Sequence, residues 1–204
     1  YDIYFFDDGI FTADDVRLDV LQRSLAMLRE YDCNEVMELD VHPGNMLVDV
    51  DEGSYGLQGM QLIDAEYKGF VPGVINIANY TVHLKAYPSL VVPTIEKAMV
   101  QEYFYQVLGR YPRTSEGDIS TAYVAATVVR ATRLMQVWSR PGHEAYHRRS
   151  GLLQTMMVDL ERAAIEPRSY VPGVSSAYLA DAAQYLASLH AFLPGLQQRV
   201  ADKA

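Results

Sequence analysis

Glu38-Leu39-Asp40-Val41-His42-Pro43-Gly44-Asn45-Met46-Leu47-Val48-Asp49 is the stretch that decides the fold. Residues 40–44 read as a loop closed by Pro43-Gly44, and 46–50 (MLVDV) as a strand. Residues 51–54 (DEGS) suit a hairpin connection, and 60–64 (MQLID) the returning strand. A hairpin over 46–63 brings the chain back to where it began, so Asn45 and Asp64 are expected at the same end of two paired strands. An amide oxygen and a carboxylate there can both reach one hard cation, as Mg²⁺ requires. Asp40, on the preceding loop, would stand beside them to orient a nucleophilic hydroxyl. An Asp, an Asn five positions on and a later metal-holding Asp are the parts of a phosphoryl-transfer site. The bland alternative is that Asp40 and Asn45 form turns through local hydrogen bonds and Asp64 merely ends a strand.

Outward from that stretch, the order is strands first, helices afterwards. Residues 1–6 (YDIYFF) have strand composition, and Asp7-Asp8-Gly9 reads as a turn. Thr12 is placed as an N-cap, with Asp15 three residues on, and Val16, Val20, Leu21, Leu25 and Leu28 space out an amphipathic helix over 13–31. Residues 35–39 read as a short strand, and 67–91 as irregular, with Pro72-Gly73 and Pro88. Helices are expected over 94–109, 118–139, 143–164 and 175–202, the last kinked or broken at Pro194-Gly195. This is an α+β order without βαβ alternation, so no doubly wound sheet is expected.

The 204 residues suit one domain, or one and a half. Half are hydrophobic, and 15 Tyr, 6 Phe and 1 Trp need a core, which excludes disorder. A single cysteine, Cys33, excludes a disulfide scaffold. No apolar run is long enough to span a membrane, and there is no signal peptide, so a cytoplasmic location is expected. The chain opens Tyr-Asp-Ile-Tyr without an initiator Met, which points to a fragment or a processed chain. Of the 26 acidic residues, 16 lie in residues 1–66, against three of the 17 basic ones. That acidic first third argues against nucleic acid as a partner and suits a cation or a solvated surface.

The run D-V-H-P-G-N-M-L-V-D at 40–49 resembles the catalytic loop of the aminoglycoside phosphotransferase and choline/ethanolamine kinase superfamily. Those proteins show an H-G-D-L-H-P-G-N-hydrophobic pattern there. I-D-A-E-Y-K-G-F at 63–70 and I-N-I-A-N-Y at 75–80 resemble the choline/ethanolamine kinase version, D-F-E-Y followed by D-I-G/A-N-H/Y. The resemblance covers about residues 1–110. It implies that Asp40 is the catalytic Asp, that Asn45 and Asp64 hold Mg²⁺ against ATP, and that the acceptor is a hydroxyl of a small molecule such as choline, ethanolamine or an aminoglycoside. It also implies a mainly helical kinase-like C-lobe starting at the hinge. Residues 1–12 would be hinge strand and turn, 13–91 the helix, catalytic loop and metal hairpin, and 92–204 the helical subdomain. The N-lobe would be absent, with a missing lobe or an oligomer as partner, and apolar surface would be bared near 1–6 and 46–63.

Three departures define the alternative, an inactive kinase-like lobe or fragment acting as a binding module. The 204 residues hold no glycine-rich loop and no strand Lys for the phosphates. The supporting His two before the catalytic Asp is Glu38, which adds like charge beside Asp40 and Asp64. The Asp before I-A-N is Asn76. Separately, the acid that helps hold choline's ammonium aligns near His83, which tells against choline as the specific substrate. Elsewhere, His42 is read as supporting the Pro43-Gly44 turn, and Glu66 as either approaching the metal or capping a turn. Cys33 is read as a packed or idle thiol. His143 and His147, at i and i+4, read as a solvated helix face rather than a metal pair. Trp138 and Tyr103, Tyr105, Tyr111, Tyr123 and Tyr146 read as core or groove wall, and Arg148-Arg149 as surface charge.

Overall fold

The computed structural model describes residues 10–12, 15–31, 34–38, 42–50, 57–63, 68–86, 92–166, 169 and 171–203. Among these the chain is mostly helical. The order is α1 (Leu18–Glu30), β1 (Asn34–Glu38), a 3₁₀ turn (Pro43–Asn45), β2 (Met46–Val50), β3 (Leu57–Leu62), β4 (Lys68–Pro72), α2 (Val74–Lys85), α3 (Val92–Arg110), α4 (Glu116–Trp138), a second 3₁₀ turn (Tyr146–Arg148), α5 (Arg149–Ile165) and α6 (Ser176–Asp202). The strands pair in two separate antiparallel ribbons, β1 with β4 and β2 with β3.

The centre of the molecule is α4. Its start is set by a capping box: the Asp118 amide donates to the Ser115 hydroxyl at 3.1 Å and the Ser115 amide donates to the Asp118 carboxylate at 2.9 Å. From Ile119 to Trp138 it is buried almost all round, as a helix without a polar face must be. Helices α1 and α2 pack on it, and α5 lies along α6. Buried hydroxyls on these helices find acceptors within their own helix. Thr127 donates to the Tyr123 carbonyl and Thr132 to that of Val128, each at 2.8 Å, and Ser24 does the same to Val20. Across the core, Thr132 meets the Tyr185 hydroxyl and Ser24 that of Tyr178. Burial raises both phenols, Tyr178 to about 12.

The hairpin expected from residue 46 onwards forms, as β2 and β3. Five other expectations need correction. The first helix begins at Leu18, not at residue 13. Thr12 and Asp15 do pair, but their turn closes on itself, and the Asp15 carboxylate is taken by both guanidinium nitrogens of Arg199 on α6, at 2.6 and 3.0 Å. Burial alone would raise that carboxyl; the Thr12 hydroxyl and amide and the Arg199 guanidinium outweigh it and hold the carboxyl below its ordinary value.

Residues 67–91 contain β4 and α2 rather than irregular chain. Helix α2 was hidden because both its faces are buried, Val74, Ile75, Ala78, Val82 and Leu84 together with Asn79, Thr81 and Lys85, so no apolar–polar period marks it. The expected helix over 143–164 starts at Arg149. Before it, the His143 ring accepts the Ala145 amide at 3.1 Å, which places His143 in a turn rather than on a helix face. Arg149 is not surface charge. It is 5% exposed, bonds the Ser139 hydroxyl and the Tyr146 carbonyl, and lies 3.7 Å over the Tyr146 ring. Helix α6 runs unbroken through Pro194, because Leu189, Leu193, Leu196 and Val200 continue one buried stripe across it.

Trp138 and Tyr123 are core residues, Tyr105 is 74% exposed, and Tyr103 and Tyr111 are partly buried against the core. Cys33 and residues 1–9 lie outside the described residues. Among the described residues no helix is long and apolar enough to cross a membrane.

Candidate functional site

The turn between β1 and β2 is built by His42. Its backbone is extended, and its Nδ1 accepts the Gly44 amide at 3.0 Å while its carbonyl accepts the Asn45 amide at 2.9 Å. Two successive amides are thereby fixed, and Asn45 is delivered to the mouth of β2. The imidazole must present a bare Nδ1 to Gly44, so its proton sits on Nε2. Gly44 has no room for a side chain, since a Cβ would lie 2.9 Å from the His42 ring.

Opposite Asn45 the returning strand closes the ribbon. Met46 pairs with Leu62 and Leu47 with Gln61, and the Ile63 amide donates to the Asn45 carbonyl at 2.9 Å. The ribbon therefore carries the chain back to Asn45 one residue before Asp64. Residues directly opposite each other share a face, so Asn45, Leu47, Gln61 and Ile63 line one side of the ribbon. Asn45 is half-buried, whereas Leu47 and Ile63 are 55% and 36% exposed. Apolar surface was expected near 1–6 and 46–63; residues 1–6 lie outside the described residues, and in the second stretch Leu47 and Ile63 are the exposed large hydrophobics among the described ones.

Of the residues singled out from the sequence, Asp40, Asp64 and Glu66 lie outside the described residues. Glu38 ends β1, paired with Lys68. Among the described residues no group of three or more metal-ligating His, Cys, Asp or Glu side chains gathers. Comparison with family models, curated proteins and solved structures gave no match.

Behind the turn stands α2. The His83 ring stacks flat on His42, with centroids 4.5 Å apart and planes 12° apart, and its other contact is the edge of Trp138 on α4, at 5.9 Å and 82°. His83 keeps a partly exposed edge, but its Nε2 is enclosed with no hydrogen-bond partner among the described residues. Burial, the neighbouring His42 and the Arg130 guanidinium push it down from 6.5 to about 3. It is therefore neutral in the fold and protonates only on unfolding at mildly acidic pH. Its folded value lies below its unfolded one, so its full contribution is present above pH 6.5 and is lost as pH falls towards 3. We expect acidification from pH 7.5 to 5.0 to cost about 1–2 kcal/mol through this group. Urea midpoints at the two pH values check this, and His83→Phe should shrink the difference.

Two buried cations stand on or against α2, and sequence reasoning missed both. Arg130 directs Nε and Nη2 onto the Asn79 side-chain oxygen at 2.9 and 2.5 Å. Its signal was a charge that follows eleven uncharged residues of α4, 119–129. Lys85 ends α2 and is bound by Glu96 of α3 at 2.8 Å and by Asp159 of α5. Glu96 also accepts the Tyr123 hydroxyl at 2.7 Å, and Tyr123 meets Thr81 at 2.8 Å. Lys85 and Glu96 are almost fully buried. Nothing in the local sequence marks this cluster, because its members come from four helices. Asn76, in the first turn of α2, is also buried, and its side-chain oxygen has no partner among the described residues.

Proposed function

We propose that this chain supplies the catalytic-loop side of a Mg²⁺- and ATP-dependent phosphotransferase acting on a hydroxyl of a small molecule, of the choline, ethanolamine or aminoglycoside kind. The observation that carries the reading is the Ile63–Asn45 backbone bond, which returns β3 to Asn45 at the residue preceding Asp64. The motif order Asp40, His42-Pro43-Gly44-Asn45, Asp64 supports it. So do exposed Leu47 and Ile63, which offer an apolar seat beside Asn45 for the flat face of a nucleotide base.

The donor chemistry fits the cation: one carboxamide and one or two carboxylates are hard oxygen ligands of the sort Mg²⁺ takes while keeping several waters. Asn45 and Asp64 would hold it, with Glu66 in reach along the chain. When bound there, Mg²⁺ would supply positive charge against the phosphates and offset charge developing on them. In this reading Asp40 orients the acceptor hydroxyl and takes its proton, and the His42 turn fixes the backbone that carries Asn45. The acidic first third draws in a cationic amino-alcohol or aminosugar. Glu38 and Asn76 favour the second reading, a lobe that binds without transferring.

The experiment is a calorimetric titration with Mg²⁺-ATP. The phosphotransferase reading predicts saturable binding that requires the metal and disappears in Asp64→Ala. Binding that survives both metal removal and that substitution would leave only the binding-module reading.

A further inference from the structure

We infer that His83 is a positioning residue of the candidate catalytic loop: its ring, stacked on His42 and in T-shaped contact with Trp138, steadies the His42 turn and so helps fix where Asn45 stands. The functional half of this inference rests on the phosphotransferase reading; the structural half does not.

Two bonds inside the turn at 42–45 run to His42, one to the ring and one to the carbonyl. If that ring swings, the Gly44 amide loses its acceptor, and the carbonyl that holds the Asn45 amide moves with the same residue. The flat stack on His83 bears directly on that ring. Helix α2 in turn is anchored on both sides, by Arg130 bonded to Asn79 one turn before His83 and by the Lys85 cluster two residues after it. The His83 ring also meets Trp138, at the C-terminal end of α4, with centroids 5.9 Å apart and planes 82° apart. The helical core thus reaches the loop through two ring contacts of His83.

The chemistry of His83 fits a clamp better than a proton carrier. The groups facing it are His42 from the loop and Arg130 from α4, and its Nε2 is enclosed with no partner among the described residues. A neutral ring in that setting offers a flat, polarisable face and gives up no proton near neutral pH. The face, rather than the nitrogens, is what the loop uses. Phenylalanine should therefore replace it, and leucine, of similar bulk but not flat, should not.

The test is hydrogen exchange of backbone amides, followed by NMR in the full chain, in His83→Leu and His83→Phe, together with Mn²⁺ titration. His83→Leu should speed exchange at Gly44 and Asn45 at least tenfold relative to the α4 amides of Val128 and Val129. His83→Phe should restore protection to within about threefold. If the wild-type chain binds Mn²⁺, His83→Leu should weaken that binding about tenfold and His83→Phe should recover it. Unchanged Gly44 and Asn45 exchange in a folded His83→Leu chain overturns the inference. So does an acceleration that α4 shares equally, which marks general destabilisation. Should the Leu variant fail to fold, failure of His83→Phe to protect the two amides overturns it on its own. Absence of Mn²⁺ binding in the wild type would count against the phosphotransferase reading and leave the exchange result to decide the clamp.

Discussion

Lys85→Met should cost about 3–5 kcal/mol of folding stability, the largest loss expected from any single change in the helical core. The substitution keeps the length of the side chain and removes its charge. Glu96 and Asp159, both bound to the Lys85 ammonium, would then face each other without a cation between them. Two carboxylates left together in a water-poor site repel, and each has lost a charge-assisted hydrogen bond. The loss is large against the ~5–15 kcal/mol that holds a typical domain together. In a chain of this size it lowers the melting temperature by roughly 10 °C.

The penalty is one of leaving charges unpaired rather than a measure of what the cluster contributes. Replacing Lys85 by Met together with Glu96→Gln and Asp159→Asn should therefore recover most of it. Tyr123→Phe, which removes one donor from Glu96, should cost only about 1–1.5 kcal/mol. Urea unfolding of the four chains separates these cases. Equal stability of wild type and Lys85→Met would show that water reaches the cluster freely.

On the phosphotransferase reading, Asp40→Asn should lower phosphoryl transfer about 10²–10⁴-fold while leaving Mg²⁺-ATP affinity within about threefold. An amide of the same shape cannot take the acceptor's proton, but it can still sit beside the hydroxyl. Asp64→Ala should remove both activity and metal-dependent nucleotide binding, because its carboxylate is assigned to the cation itself. The contrast between the two variants distinguishes a residue that handles the proton from one that holds the metal. Similar losses of affinity in both would merge the two roles and contradict the assignment.

The ribbon was legible because its markers are local. Pro43-Gly44, the apolar run through 46–50 and the turn-forming connection at 51–54 each act on neighbouring residues, and the observed register pairs Met46 with Leu62. The helices from 92 onwards were legible from length and from stops at Gly109, Pro141-Gly142 and Pro167. What failed was chain whose state is set from far away. Strand β4 exists by pairing with β1, across more than thirty residues, and α2 shows no amphipathic period because α4 and its other neighbours bury it on all sides.

The same distinction applies to the candidate site. His42 could be read as a turn residue because its partner, Gly44, is two residues away. The stack with His83, the Arg130–Asn79 contact and the Lys85 cluster join residues 11 to 74 positions apart, and no short motif can announce them. Arg149 was misread for a related reason. Next to Arg148 in sequence it looks like surface charge, yet its guanidinium is taken by Ser139 and Tyr146 on the turn that precedes α5.

The most direct test of the central claim is the binding of Mn²⁺, as a paramagnetic stand-in for Mg²⁺, followed by electron paramagnetic resonance in wild type, Asn45→Ala and Asp64→Ala. The proposal that Asn45 and Asp64 hold one cation predicts one saturable site in the wild type, at least tenfold weaker in Asn45→Ala and abolished in Asp64→Ala, with the fold intact in all three. Equal Mn²⁺ binding in the three chains, or none in the wild type even with ATP present, would contradict it.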